Sequence, residues 1–220
     1  MKHFLNRDML APNVSTFAVD PQIPQGFRDP SVLPGSFSTV RPSKRNWHSD
    51  IQWISAADEN TFEIFQSAFD SLGIATQAAP YLDLDKQVRL YAGFLVVRSR
   101  CSEAYFHVDW ARSNNEAFTC MIPASANATQ SGLLYKQLTG AVGEYQYKAG
   151  EAIAFGENFA HSTKPGRFDE PVVLLCFEYG TDKMERWPNI YQTVGKQVTH
   201  LREPNGRFVR ADGKVWGEGW

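Results

Sequence analysis

Two residues near the middle of the chain, His107 and Asp109, have the types and spacing of a metal-ligand pair. Residues i and i+2 of a β-strand point to the same side, so this imidazole and carboxylate can contact one cation. The pair alone is a weak signal, because a chain with five histidines and 24 acidic residues contains such a pair by chance about half the time. A hydrogen-bonded pair at a strand end is the structural alternative.

A third residue, His161, strengthens the metal hypothesis. It follows a turn, a short apolar strand and a loop over residues 150–160, which places it late in the same series of strands. Two histidines and one carboxylate occupy one face of a six-coordinate ion and leave three positions open, as in non-haem Fe(II) oxygenases. Catalytic zinc can use the same ligands, so these residues leave the metal open.

Strands must position these ligands, and the pattern after residue 88 predicts them. Short apolar runs separated by turn residues are typical of an antiparallel β-sandwich or barrel. The predicted strands are 88–98, 104–110, 118–122, 132–135, 143–147, 152–155, the neighbourhood of residue 161, and 171–179. Eight short strands fit a mainly β fold, a double-stranded β-helix or cupin-like jelly roll, with its core at 88–180.

The segments before this core predict an arm and a covering helix. Residues 1–50 contain six of the twelve prolines, which favours an extended arm. Within residues 51–87 we expect an amphipathic helix over about 55–72, since Ser55 and Asp58 resemble a capping box. The apolar side of this helix is predicted to consist of Phe62, Phe65, Phe69 and Leu72.

The segment after the core, 181–220, is predicted to be an extension with a hairpin. Asp212 and Gly213 at the centre of residues 207–216 form a type I′ turn signal. We expect the 220 residues to form a single domain, because β-sandwiches and barrels often reach this length undivided.

Composition excludes several classes of partner. The chain has 22 basic and 24 acidic residues, a formal charge of −2, so no nucleic-acid or anionic-lipid binding is expected. No stretch approaches the roughly 18 apolar residues of a membrane span, and no secretory signal is evident. Three widely spaced cysteines suggest neither disulfides nor a zinc cluster. We therefore expect a cytoplasmic protein that acts on a small molecule.

The order of the motifs resembles the Fe(II)/2-oxoglutarate-dependent dioxygenases, in the neighbourhood of the prolyl hydroxylases and phytanoyl-CoA hydroxylases. The likeness covers roughly residues 88–180 and rests on His107-Val-Asp109, Thr129-Gln-Ser-Gly132-Leu133, Gly150-Glu151 with Phe155, and His161-Ser-Thr-Lys-Pro165. It implies a double-stranded β-helix with His107 and Asp109 on the second core strand and His161 on the seventh.

The resemblance also implies chemistry. Fe(II) would be the metal, 2-oxoglutarate the cosubstrate and dioxygen the oxidant, with hydroxylation of a small metabolite or amino-acid derivative as the default outcome. Two alternatives remain open: a cupin-like metal enzyme that does not use 2-oxoglutarate, and a non-catalytic jelly-roll binding module. The sequence specifies neither the substrate nor the oligomeric state.

One family feature is missing from the chain. Members carry a basic residue after the second histidine that binds the distal carboxylate of 2-oxoglutarate, but Glu170 and Pro171 stand there, and a carboxylate repels a carboxylate. Arg98 is our first replacement, because it is the one charged member of an apolar strand face. The alternative is that the strand ends before Arg98 and its guanidinium reaches water. Arg167 and Lys164 are second choices, in a setting typical of a solvated turn.

Four further residues near the motif are candidates for the substrate pocket. They are Tyr91, Tyr105, Trp110 and Arg112. The structural alternatives are core packing for the aromatic side chains and a solvated loop for the arginine.

Overall fold

Antiparallel strands dominate the computed structural model, which describes residues 13–20, 22–33, 35, 37–40 and 49–211. In chain order the strands are β1 (Val14–Ala18), β2 (Phe37–Val40), β3 (Gln52–Ala56), β4 (Arg89–Cys101), β5 (Ala117–Pro123), β6 (Gly132–Lys136), β7 (Val142–Gln146), β8 (Glu151–Phe155), β9 (His161–Thr163), β10 (Gly166–Gly180), β11 (His200–Arg202) and β12 (Phe208–Arg210). The α-helices are α1 (Gln25–Arg28), α2 (Glu59–Ser71), α3 (Ile74–Ala78) and α4 (Trp187–Gln197).

Two antiparallel sheets face each other across the centre of the molecule. The larger has the strand order β1-β8-β5-β10-β4-β3-β2, and the smaller has the order β7-β6-β9. Sequence neighbours are repeatedly separated in these sheets, so the chain passes back and forth between the two layers, as in a jelly roll. The predicted fold class, a double-stranded β-helix with covering helices, is confirmed.

The larger sheet is buried on both faces, and all seven residues of β5 are buried. Its outer face carries Leu95 and Phe177 and packs against α2, whereas its inner face carries Phe94 and Cys176 and packs toward the smaller sheet and α4. Burial on both faces explains why these strands are almost continuously apolar. The inner face is the one that reaches the predicted ligands.

Helix α2 covers the outer face, but the predicted start at Ser55 is wrong. Ser55 lies in β3, opposite Phe94 of β4, because strand pairing outweighs a local cap there. The observed N-cap is Asp58: its Oδ1 accepts from Thr61 N at 2.8 Å, and Thr61 Oγ1 accepts from Asp58 N at 3.1 Å. The buried side of the helix consists of Thr61, Phe62, Phe65, Ala68 and Phe69.

The predicted strand over residues 104–110 is also wrong, and so is the placement of His107 and Asp109 on a core strand. The segment is irregular, with one β-bridge between His107 and His161. Its neighbouring amide, Tyr105 N, donates to the Ser162 hydroxyl at 2.8 Å and not to a main-chain carbonyl. At Tyr105 a hydrogen bond to a side chain thus takes the place of the main-chain bond that a β-ladder would have. The other predicted core strands correspond to β4, β5, β6, β7, β8, β9 and β10, with shifted ends.

The segments outside residues 88–180 add strands to this core. The proline-rich segment supplies β1 and β2, which form the two edges of the larger sheet. Strands β11 and β12 form a separate hairpin. The predicted turn at Asp212 and Gly213 lies outside the described residues. Among the helices of the described ranges, none has the length and apolar character needed to cross a membrane.

Candidate metal centre

Main-chain hydrogen bonds hold His107 and His161 side by side. His161 begins β9, and His107 lies in the irregular segment that runs antiparallel to it. The N–H of each histidine donates to the carbonyl oxygen of the other, both at 2.9 Å. The ring centroids are consequently 4.5 Å apart.

Asp109 completes a group of three ligand atoms. His107 Nε2 lies 3.5 Å from Asp109 Oδ1, and His161 Nε2 lies 4.0 Å from Asp109 Oδ2. One ligand atom from each residue is within 4.8 Å of the other two, so a single ion among them can contact all three. This donor set of two imidazoles and one carboxylate fits Fe(II), although zinc accepts the same donors.

The imidazole rings are oriented for metal binding. Nδ1 lies 3.0 Å from the Tyr105 carbonyl oxygen in His107 and 3.1 Å from the Phe159 carbonyl oxygen in His161. A carbonyl oxygen can only accept, so each Nδ1 carries the hydrogen and each Nε2 offers its lone pair. Burial lowers the pKa of His161 to about 4, against the opposing charge of Asp109, so this ring is neutral near pH 7.

A short hydrogen-bond chain orients the Asp109 carboxylate. Thr119 Oγ1 donates to Asp109 Oδ2 at 3.2 Å, and Trp110 Nε1 donates to Thr119 Oγ1 at 2.9 Å. The side chain of Trp110 is buried and does not line the cavity, so its predicted place in the pocket is wrong. Its role is to support the carboxylate through Thr119.

Glu178 is a second acid near the centre, which sequence reasoning missed. It lies on the inner face of β10, paired with Thr119 of β5, and is fully buried. Within the described part of the chain, neither carboxyl oxygen has a hydrogen-bond partner. Burial, and secondarily the charge of Asp109, raises the pKa of Glu178 well above its usual value, which favours the neutral carboxyl. The available signal was a lone acid in the apolar run 172–179.

Arg98 lies within the same cavity as the three ligands. Its side chain is only 4% exposed, so β4 has not ended before it, and its Nη1 donates to Thr163 Oγ1. Nε and Nη2 are buried without a hydrogen-bond partner among the described residues. Arg98 of β4 is paired with Val172 of β10. In the resembled family the basic residue lies on the strand that corresponds to β10, so here the guanidinium comes from the neighbouring strand.

The second-choice residues lie elsewhere. Lys164 forms an ion pair with Glu144, and Arg167 is exposed on β10 opposite Arg100. Neither residue lines the cavity. Only Arg98, of the three predicted cosubstrate residues, is brought to the metal ligands.

The cavity next to the ligands has a volume of about 430 Å³. Tyr105 and Arg112 line it, and their role in binding a substrate stays a prediction. Tyr91 does not, because its fully buried hydroxyl donates to the Thr181 carbonyl oxygen at 2.6 Å in the core beside Trp187. The pocket prediction for Tyr91 is therefore wrong.

Helix α4 forms a wall of the cavity that sequence reasoning also missed. Its lining residues are Asn189, Gln192, Thr193, Lys196 and Gln197. Polar residues at i, i+3, i+4 and i+7 from 189 share one helix face, which was a readable signal. Thr193 Oγ1 donates to the Asp109 carbonyl oxygen at 2.6 Å, so this helix is bonded directly to the ligand segment.

Comparison with known proteins identifies similar structures but no close relative. No protein-family model matches the sequence, and no curated protein matches it. A 2OG-Fe(II) oxygenase family protein from Burkholderia pseudomallei matches with a TM-score of 0.55 and 9% identity, over 76% of this chain and 85% of that one.

Two further solved structures match over a similar extent. The non-heme alpha ketoglutarate dependent epimerase SnoN, from nogalamycin biosynthesis, has a TM-score of 0.54 and 9% identity, over 77% of this chain and 79% of its own. HygX from Streptomyces hygroscopicus, with nickel, 2-oxoglutarate and hygromycin B bound, has a TM-score of 0.53 and 12% identity, over 80% of this chain and 88% of its own. At these identities the likeness establishes a shared fold.

Proposed function

We propose that this chain is a non-haem Fe(II)- and 2-oxoglutarate-dependent oxygenase that hydroxylates a small molecule. One observation carries the proposal: a triad of His107, Asp109 and His161 shares a cavity with a buried arginine whose guanidinium still has unpartnered donors. A structural role for the histidines alone would leave that guanidinium unexplained, because buried charges are usually paired.

The triad would hold the metal. With 2-oxoglutarate and dioxygen, bound Fe(II) supplies the oxidising chemistry for hydroxylation of a C–H bond. The protein would contribute the two imidazoles, the carboxylate held by Thr119, and the spacing set by the main-chain bonds of His107 and His161.

Arg98 would bind the distal carboxylate of 2-oxoglutarate. Its unpartnered Nε and Nη2 are two donors of one planar guanidinium, and adjacent donors of this kind can grip a carboxylate through two hydrogen bonds. Thr163 positions the group by accepting from Nη1. The repulsion expected at Glu170 does not arise, since Glu170 is exposed and does not line the cavity.

The apolar part of the cavity wall would exclude water from the reacting centre. Phe94, Met121 and Leu133 line it and are buried. An environment of this kind limits side reactions of a reactive oxidant with solvent. SnoN and HygX are described with alpha ketoglutarate or 2-oxoglutarate, and HygX with hygromycin B, which supports a small-molecule substrate for this fold.

A cytoplasmic setting is part of the proposal. All three cysteines of the chain, Cys101, Cys120 and Cys176, are free and buried. Free thiols are the usual state in a reducing compartment.

An anaerobic titration tests the proposal. Wild-type protein with Fe(II) should develop the weak visible charge-transfer band of the metal–cosubstrate complex when 2-oxoglutarate is added. His161→Ala should lose both bound iron and the band, since two ligands remain. His200→Ala, a histidine outside the cavity, is the matched control and should retain both.

Different failures point to different alternatives. Iron binding without the band would favour a cupin-like metal enzyme that does not use 2-oxoglutarate. Failure to bind iron at all would favour a non-catalytic binding module. With the band established, succinate release and the gain of one oxygen atom in the product, by mass spectrometry, would test hydroxylation.

A further inference from the structure

Helix α4 presents a polar face to a cavity that also has an apolar wall, formed by Ile51, Trp53 and Val96. The face consists of Asn189, Gln192, Thr193 and Lys196. The opposite side of the helix packs into the core through Ile190 and Val194, which are fully buried. Packing therefore fixes which side of the helix meets the cavity.

A cation from the neighbouring segment lines the cavity together with this face. Arg112 follows Asp109 by three residues, and the Asp109 carbonyl oxygen accepts from Thr193 on α4. Lys196 lies three residues beyond Thr193, on the same side of the helix. Arg112 and Lys196 thus belong to two adjoining walls, and both are exposed, so they lie where the cavity opens to solvent.

Neither cation has an acidic partner in the described part of the chain. Across the residues that the structure describes, Arg112 and Lys196 make no ion pair and no side-chain hydrogen bond. Asp109 is the only carboxylate among the described residues that line the cavity, and it belongs to the metal triad. These two positive charges are therefore not compensated by the residues that the structure describes.

The proposed cofactors do not compensate these charges either. An Fe(II) ion, Asp109, Arg98 and the 2-oxoglutarate dianion together have no net charge. The positive charge of Arg112 and Lys196 then remains at the entrance for whatever enters after the cosubstrate. A cavity lined by one sign of charge attracts ligands of the opposite sign.

We infer that the substrate carries an anionic group, a carboxylate or a phosphate, which Arg112 and Lys196 bind. Its apolar part lies against the wall formed by Ile51, Trp53 and Val96. The inference rests on the proposed function for the charge balance and names the class of substrate that the site would accept.

Three probes with one apolar body test this inference: 3-phenylpropanoate, 3-phenylpropyl phosphate and the neutral 3-phenylpropanamide. Calorimetric titrations measure their affinity for wild-type protein, Arg112→Gln and Lys196→Gln, with Fe(II) and 2-oxoglutarate under argon. Arg100→Gln and Lys86→Gln, exposed cations outside the cavity, are the matched controls. A second series in an Arg98→Gln background without metal or 2-oxoglutarate gives an answer that does not depend on cosubstrate binding.

The anionic probes should bind about tenfold more tightly than the amide, and each cavity variant should weaken them about fivefold, as expected for charge-assisted hydrogen bonds. Affinity for the amide and for the control variants should not change. Whichever anion binds more tightly identifies the group. Equal affinity for the amide, no binding of either anion, or a preference that survives in both cavity variants would overturn the inference. If the second series shows the preference, but wild-type protein with Fe(II) and 2-oxoglutarate develops no charge-transfer band, the anion site stands and the proposed function fails.

Discussion

At the scale of single residues, Arg98 is a buried cation near the metal centre whose hydrogen-bond donors are only partly satisfied. It is almost fully buried, and two of its nitrogens lack partners in the described structure. A buried charge is usually paired, and an arginine favours planar anions that accept two hydrogen bonds. A carboxylate of the cosubstrate would supply that partner.

Arg98→Gln should therefore raise the 2-oxoglutarate concentration needed for half-maximal turnover by about tenfold or more, because a charged, two-pronged contact is lost. Succinate release over a range of 2-oxoglutarate concentrations measures the effect. Arg167→Gln removes an exposed arginine outside the cavity and should leave the requirement unchanged. An effect of Arg167→Gln without an effect of Arg98→Gln would instead assign the binding of the 2-oxoglutarate carboxylate to Arg167.

The sequence was sufficient to predict Arg98 and the triad, because strand alternation or the spacing of residue types indicates which side chains lie together. Arg98 was identified because it shares a strand face with residues 90, 92, 94 and 96, and the triad because of its HxD pair and distant histidine. Sequence could not predict the support of Asp109 by Thr119 and Trp110, since that contact joins an irregular segment to a separate strand.

At the scale of elements, α4 connects the cavity wall to the ligand segment. Its hydroxyl donor Thr193 bonds the main chain of Asp109 at 2.6 Å, whereas its buried residues join the inner core. A helix fixed at both faces holds the entrance of the cavity in one position relative to the triad.

Thr193→Val should lower the free energy of unfolding by about 1 kcal/mol, the typical net contribution of one hydrogen bond. Urea denaturation measures the change. Thr76→Val, which alters an exposed threonine of α3, is the matched control and should have little effect. A loss no larger than that of the control would show that the bond does not stabilise the helix.

The prediction of elements succeeded for segments in which apolar runs alternate regularly with turn residues. The core strands from β4 to β10 were recognised by apolar runs between turns, with ends shifted by a few residues. The segment 104–110 was wrongly predicted as a strand. Its residues alternate as in a strand, but its main chain has only one bridge. The start of α2 was misplaced because Ser55 belongs to β3, where it pairs with Phe94 of β4. The division of the chain at residues 50, 87 and 180 stays a prediction.

At the scale of the whole molecule, two layers of core enclose the larger sheet, and Glu178 is an ionisable group in its interior. Burial raises the pKa of this carboxyl, so folding favours its protonated form. A group whose pKa is higher in the folded than in the unfolded state stabilises the fold at low pH. That contribution is lost as pH rises from about the ordinary value of 4.5 toward the folded value.

Glu178→Gln removes this titration, so the stability of the variant relative to wild type should increase as pH rises above the ordinary value of 4.5. Urea denaturation in the presence of a chelator measures the free energies of unfolding. Glu170→Gln, at an exposed position, is the control and should show a flat difference. A difference for Glu178→Gln that is independent of pH would contradict a buried, neutral carboxyl.

The reciprocal main-chain bonds between His107 and His161 have a consequence for metal exchange. Their peptide groups, not an ion, set the distance between the imidazoles, so removal of the metal would leave the chelating geometry assembled. Reloading would then be limited by encounter and dehydration of the ion, without a refolding step. A metal centre built this way would be able to lose its ion to a scavenger and bind it again as soon as the supply returned.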